Sequence, residues 1–109
     1  LSLVRQMGMQ ALVEVHNEYE LDVAIDAGAV IVGVNSRNLS TLLIDRQSAN
    51  SLLARIPSGI VTVAESGLET AADIECLGED VDSVLIGTAL VRNGDPRGAL
   101  ASLGYAPCR

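Results

Sequence analysis

Four short apolar runs, each breaking off into polar residues and each followed by a helical pattern, decide what this chain can fold into. They are Ala11-Leu12-Val13-Glu14-Val15-His16, Val30-Ile31-Val32-Gly33-Val34, Ile60-Val61-Thr62-Val63-Ala64 and Ser83-Val84-Leu85-Ile86. Strands alternating with helices at spacings of about 20 to 30 residues leave room for a crossover helix each time, so a parallel sheet with right-handed connections is expected. The polar residues that end the runs then collect along one edge: Glu14, Asn35 with Arg37, Glu65 with Ser66, and Gly87 with Thr88. In parallel α/β sheets that edge is where ligands bind. The fold class is therefore α/β, with four parallel strands alternating with helices.

The helices carry their own punctuation. Asn17 is a candidate N-cap with Glu20 as capping-box partner, and Leu21, Ala24, Ile25 and Ala27 or Gly28 form the inward stripe, stopped by Gly28. Asp45 caps the next helix, whose stripe is Ala49, Leu52, Leu53 and Ile56 and which Pro57 closes. Thr70 with Asp73 forms a capping box ahead of Ala71, Ile74, Cys76 and Leu77, with Ala72 as a further candidate. Asp95-Pro96 starts a last helix that buries Ala99, Leu100 and Leu103 and ends at Gly104. With no Phe or Trp and only 2 Tyr among 109 residues, the core must be built from Val, Ile, Leu and Ala. That packing suits parallel strands covered by helices.

Charge narrows the partners. The net charge is −7, and all 7 cations are Arg, because the chain has no Lys. A polyphosphate would meet a repulsive surface with no basic stripe, so nucleic acid is not an expected partner. Neither a Schiff base nor an ammonium general acid can come from this chain. Cys76 and Cys108 lie too far apart for a metal or redox motif, and no metal ligand set is read; Cys76 is expected in the core or at an interface. There is no leader-like segment and no apolar run of about 18 residues, so a cytoplasmic protein with no membrane association is expected. The stretch Leu1 to Met7 reads as the tail of a helix already under way, which suggests a piece of a longer chain.

The strand-end edge can do specific chemistry. Ser66-Gly67 and Gly87-Thr88 end consecutive strands, and adjacent strands lie about 5 Å apart, so both sets of amides can converge on one phosphate. The alternative is two unrelated tight turns. Glu14 is a carboxylate inside a buried-looking strand, so it either faces solvent across an antiparallel sheet or points into a site, and the helix that follows argues against the exposed sheet. Arg37 would draw in an anionic substrate, or would form a salt bridge with Glu65 or Glu14. His16, without a Ser or Cys partner, reads as a capping or rim residue rather than a general base. The loop carrying Leu39 to Ile44 is long enough for function, yet equally suits a flap over the neighbouring helix.

Four segments in this order and spacing, Ala11-Leu12-Val13-Glu14-Val15-His16, Gly33-Val34-Asn35-Ser36-Arg37-Asn38-Leu39, Val63-Ala64-Glu65-Ser66-Gly67 and Leu85-Ile86-Gly87-Thr88-Ala89-Leu90, resemble the C-terminal half of indole-3-glycerol phosphate synthase. The resemblance covers roughly residues 3 to 103. It implies half of a (β/α)8 TIM barrel, strands 5 to 8, with residues 1–109 as a C-terminal half-barrel and the N-terminal half absent. It implies ring closure and decarboxylation of 1-(2-carboxyphenylamino)-1-deoxyribulose 5-phosphate in tryptophan biosynthesis, with no metal or organic cofactor. Glu14 would assist proton transfer, Asn35 and Arg37 would orient the substrate, and Glu65 would contact its hydroxyl or carboxylate region. Ser66, Gly67, Gly87 and Thr88 would hold the phosphate, and Leu85 would line the pocket. Thr88 stands where the family often has Ser or Glu. The family's catalytic lysines and a further glutamate come from the first four strands, so the chain alone is expected to be inactive. Its open sheet edges and apolar inner face are expected to pair with the missing half or with a second copy.

Overall fold

Each apolar run becomes a strand wherever β-branched residues dominate, and each cap starts a helix. The computed structural model describes residues 1–38 and 40–104, with the order α1 (Ser2–Gln6), β1 (Val13–Val15), α2 (Glu18–Asp26), β2 (Ile31–Asn35), α3 (Arg46–Leu53), β3 (Val61–Glu65), α4 (Ala71–Glu75), β4 (Ser83–Leu85), α5 (Thr88–Val91) and α6 (Pro96–Ser102). The strands form one all-parallel sheet in the order β1-β2-β3-β4. Register places Glu14 beside Gly33, Asn35 beside Glu65, and Glu65 beside Leu85. This is the four-stranded half of a (β/α)8 barrel, with its polar strand ends on one edge.

The two faces of the sheet differ. Val15, Val32, Val34 and Ala64 alternate onto the helix-covered face, where Leu21 and Ala24 of α2 and Ala49, Leu52 and Leu53 of α3 complete the core. Leu12, Glu14, Ile31, Gly33, Asn35, Val61, Val63, Glu65 and Leu85 share the other face by the same alternation. That face is open at its sides, with Leu12, Val61 and Leu85 exposed at 44%, 43% and 53%. The edges are β1 and β4.

The caps form as the side-chain chemistry dictates. Asp45 accepts from Ser48 N, Asp95 accepts from Gly98 N, and Thr70 with Asp73 makes a reciprocal capping box. Asn17 accepts from Glu20 N at 2.9 Å, but the Glu20 carboxylate reaches one residue further back than a capping box requires, to His16 N at 2.7 Å. Gly28, at φ +75°, ends α2 as its position suggested.

Several expectations need correction. Cys76 is exposed, not core: α4 is only five residues long, so Cys76 falls at its C-cap and turns to solvent. Ala72 is likewise exposed, and α4 buries no residue fully. Leu100 is 38% exposed, and α6 sends only Leu103, its C-cap, into the interior. Pro57 does not end α3 directly, because the helix stops at Leu53 with Ala54 as C-cap. Leu39 and Cys108 lie outside the described residues.

Candidate active site

The parallel register brings every sequence-derived site residue to one place. Glu14, Asn35, Arg37, Glu65, Ser66, Gly67, Leu85, Gly87 and Thr88 all line a single cleft of about 450 Å³ at the C-terminal ends of the strands. Leu68, Glu69, Ile86 and Ala89 complete its wall.

Glu65 occupies the floor. It is 4% exposed, and its Oε1 atom finds no hydrogen-bond partner among the described residues. Burial, followed by the Glu14 carboxylate beside it, pushes its pKa up to about 7, while His16 pulls it down. Gly33 makes room for this carboxylate. A Cβ at that position would overlap Glu65 Oε1 and lie 2.8 Å from Glu65 Cδ and 3.1 Å from Leu12 Cδ1. A glycine in mid-strand signals close approach of another group, so this feature was legible in the sequence although the motif reading passed over it.

The raised pKa has a thermodynamic sign. An unfolded Glu titrates near 4.5 and folded Glu65 near 7, so the native state binds the extra proton between those values. Glu65 therefore contributes stability that is complete below pH 4.5 and is lost as pH rises through 7. In urea melts, Glu65→Gln is expected to become more stable relative to the parent as pH rises from 5 to 8, and a parallel response in both proteins would contradict the assignment.

Glu14 is held in place by its neighbours. Asn35 Nδ2 donates to Glu14 Oε1 at 3.2 Å, and Asn35 Oδ1 accepts from Arg37 N at 2.9 Å. Asn35 thus couples β1 to the turn after β2. The Arg37 guanidinium makes no ion pair with Glu14 or Glu65 among the described residues, which corrects the salt-bridge alternative; Nη1 donates to Leu42 O at 3.3 Å instead. Arg37 also pairs in a short antiparallel bridge with Ile44, so the loop folds back over the strand end.

The turn after β3 is strained and pinned. Ser66 and Gly67 adopt φ +62° and +69°, a left-handed conformation unfavourable for a serine. Ser36, itself buried, donates to Glu65 O at 3.2 Å and Ser66 O at 3.0 Å, which fixes the turn from beneath. In the sequence Ser36 stands out only as part of the Asn35-Ser36-Arg37 segment, with no task of its own. A Cβ on Gly67 would lie 2.8 Å from Ile44 Cγ2, so glycine is needed for both angle and space. Gly87 differs: its φ is −117° and a Cβ there would point into open space. The helical turn that follows, α5, is four residues long, so any attraction for an anion there rests on individual amides rather than on an extended dipole.

One cleft residue that the sequence reading omitted is already engaged. Glu69 receives both Nη1 and Nη2 of Arg92, at 3.1 and 2.9 Å, and this bidentate pair holds its carboxyl below the usual carboxylate range. His16 sits behind Glu14, with Nε2 at 3.3 Å from Glu14 Oε1 and Nδ1 at 3.2 Å from Glu20 Oε2.

Comparison with known proteins agrees with this architecture. A family model described as indole-3-glycerol phosphate synthase matches residues 1–103. The chain is 48% identical to the indole-3-glycerol phosphate synthase of Mycobacteroides abscessus over 104 residues, which is 94% of this chain and 38% of that protein. Identity to the synthase of Parafrankia sp. is also 48%, covering 94% of this chain and 39% of that protein. Among solved structures, the Amycolatopsis orientalis BexX/CysO complex contains a chain that superposes with a TM-score of 0.59 at 26% identity, covering 98% of this chain and 50% of that one. The chain thus spans less than two-fifths of the length of these two curated relatives. Family match, identity and fold converge: the chain belongs to the indole-3-glycerol phosphate synthase family.

Proposed function

We propose that this chain forms the substrate-gripping half of an indole-3-glycerol phosphate synthase site. The reaction is that of a carbon-carbon lyase: ring closure, decarboxylation and dehydration of 1-(2-carboxyphenylamino)-1-deoxyribulose 5-phosphate in the cytoplasm. One observation carries the reading: nine residues from four strand ends line one cleft. Glu14, oriented by Asn35, moves a proton during closure and dehydration. Glu65, poised near neutrality, exchanges a hydrogen bond with the substrate's hydroxyl or carboxylate region. Arg37, whose guanidinium makes no ion pair among the described residues, balances the negative charge of substrate and carboxylates. The amides and hydroxyls of Ser66, Gly67, Gly87 and Thr88 take the phosphate, and Leu85 packs on the apolar part of the substrate.

The phosphate role is testable on the isolated chain. Titration of glycerol 3-phosphate into the nitrogen-labelled protein is expected to shift the amides of Ser66, Gly67, Gly87 and Thr88 together, with one saturation curve. Shifts confined to other residues would overturn the cradle.

The lack of any Lys favours a second reading for the chain alone, a half-barrel that binds phosphate esters without chemistry. Saturable binding with no turnover after a complementing half is supplied would select it.

A further inference from the structure

The lone histidine has a place in this site that a capping residue would not need. Its ring lies between two carboxylates on different elements, Glu14 of β1 and Glu20 of α2. Glu20 is itself fixed by three donors: His16 N at 2.7 Å, Asn17 Nδ2 at 3.0 Å and, when protonated, the ring Nδ1 at 3.2 Å. Its carboxyl is held below the usual range, first by the His16 amide. The other ring nitrogen, Nε2, is buried and makes no hydrogen bond among the described residues; it lies 3.3 Å from Glu14 Oε1, within ion-pair distance. Asn35 approaches the same Glu14 oxygen, so both contacts fall on Oε1.

We propose that His16 is a positioning residue of this site: anchored by the helix-capping carboxylate of Glu20, its imidazole orients Glu14 and offsets the negative charge that Glu14 and Glu65 bring together. A chain of contacts then runs from the first turn of α2 to the cleft floor, Glu20 to His16 to Glu14 to Glu65. The other charged side chains lining the cleft are Arg37, after β2, and Glu69, after β3; β4 adds none. Glu69 is occupied by Arg92, so Arg37 and, when protonated, His16 are the groups able to answer the carboxylate pair. The effect of His16 on Glu65 has the sign this arrangement requires, opposing burial and Glu14. The inference rests on the functional reading above for Glu14's part in catalysis, but not for its geometry.

The test uses the full chain with carbon-labelled glutamate carboxyls, followed by NMR through a pH titration. In the parent, the upper midpoint of the Glu14 and Glu65 pair is expected near 7. In His16→Asn and in Glu20→Ala it moves upward, with a roughly threefold rise in the protonated-to-ionised ratio at pH 7. Glu18→Ala removes the same charge from the same helical turn without touching the ring, since Glu18 pairs with Arg55, and leaves the midpoint in place. If Glu18→Ala shifts it as far as Glu20→Ala, or if neither His16→Asn nor Glu20→Ala shifts it, His16 is only a cap and the proposal is overturned. Circular dichroism confirms that folding is retained, and Glu20→Ala carries the test should His16→Asn unfold. In an assembly completed with an N-terminal half, Glu20→Ala is expected to displace the pH profile of kcat while KM stays within about twofold. An unchanged profile in an active assembly would also overturn the proposal. An inactive parental assembly would instead count against the functional reading, leaving the carboxyl titration to decide this one.

Discussion

Purified by itself, the 109-residue polypeptide is expected to give no turnover of the carboxyphenylamino-deoxyribulose phosphate, and to gain it when the N-terminal part of a relative such as the Mycobacteroides abscessus enzyme is supplied in trans. The physical reason is compositional. The cleft holds carboxylates, an amide, hydroxyls and a guanidinium but no lysine ammonium, so a proton near neutral pH comes from the Glu65 carboxyl with no second acid of lysine type beside it, and an arginine does not deprotonate in this range. Its open inner face, lined by Leu12, Val61 and Leu85, offers the apolar surface on which a complementing half would settle. Fluorescence of the indole product gives the readout. Within the completed assembly, Glu14→Gln is expected to lower kcat by about 10²- to 10⁴-fold, the usual range for loss of a positioned acid or base. Turnover by the lone chain, or full activity of the Glu14→Gln assembly, would refute this division of labour.

The largest effect on stability is expected at Leu21. Its side chain is 1% exposed, on the inward side of α2 and in the same buried cluster as Val15, Val32 and Val34. Leu21→Ala removes buried methylenes and leaves a cavity, at a cost of about 2–5 kcal/mol. A domain of this size commonly holds only about 5–15 kcal/mol in total. A half-barrel with one open face belongs at the low end, so much of the population should unfold at 25 °C. Val23→Ala, on the solvent side of the same helix at 50% exposure, serves as control and should cost within about 0.5 kcal/mol. Urea unfolding midpoints decide the matter, and equal midpoints for the two variants would show that α2 does not close the core.

The contrast between α2 and α4 shows how far the sequence could be read. In α2 the cap and the apolar spacing agree over nine residues, so Leu21 and Ala24 were identifiable as core. In α4 the same reasoning put Cys76 inside, and failed because the helix stops after five residues. Helix length depends on what the sheet offers to pack against, and β4 is only three residues long at an open edge. Local periodicity carries no information about that limit.

At the site, the sequence by itself determined which residues meet. Strand ends in a parallel sheet share one edge, so Glu14, Asn35, Arg37, Glu65, Ser66, Gly67, Leu85, Gly87 and Thr88 had to gather there once four strand-helix units were recognised. Only the tertiary structure decided what those residues do to one another. That Gly33 clears space for Glu65, that Ser36 pins the strained Ser66 turn, that Arg37 makes no ion pair with either carboxylate among the described residues, and that His16 lies between Glu14 and Glu20 all depend on pairings between residues 2 to 32 positions apart. The reason is physical. Alternation and capping are set by neighbours along the chain, whereas the charge state of a buried carboxylate is set by burial and by groups brought near it across the sheet.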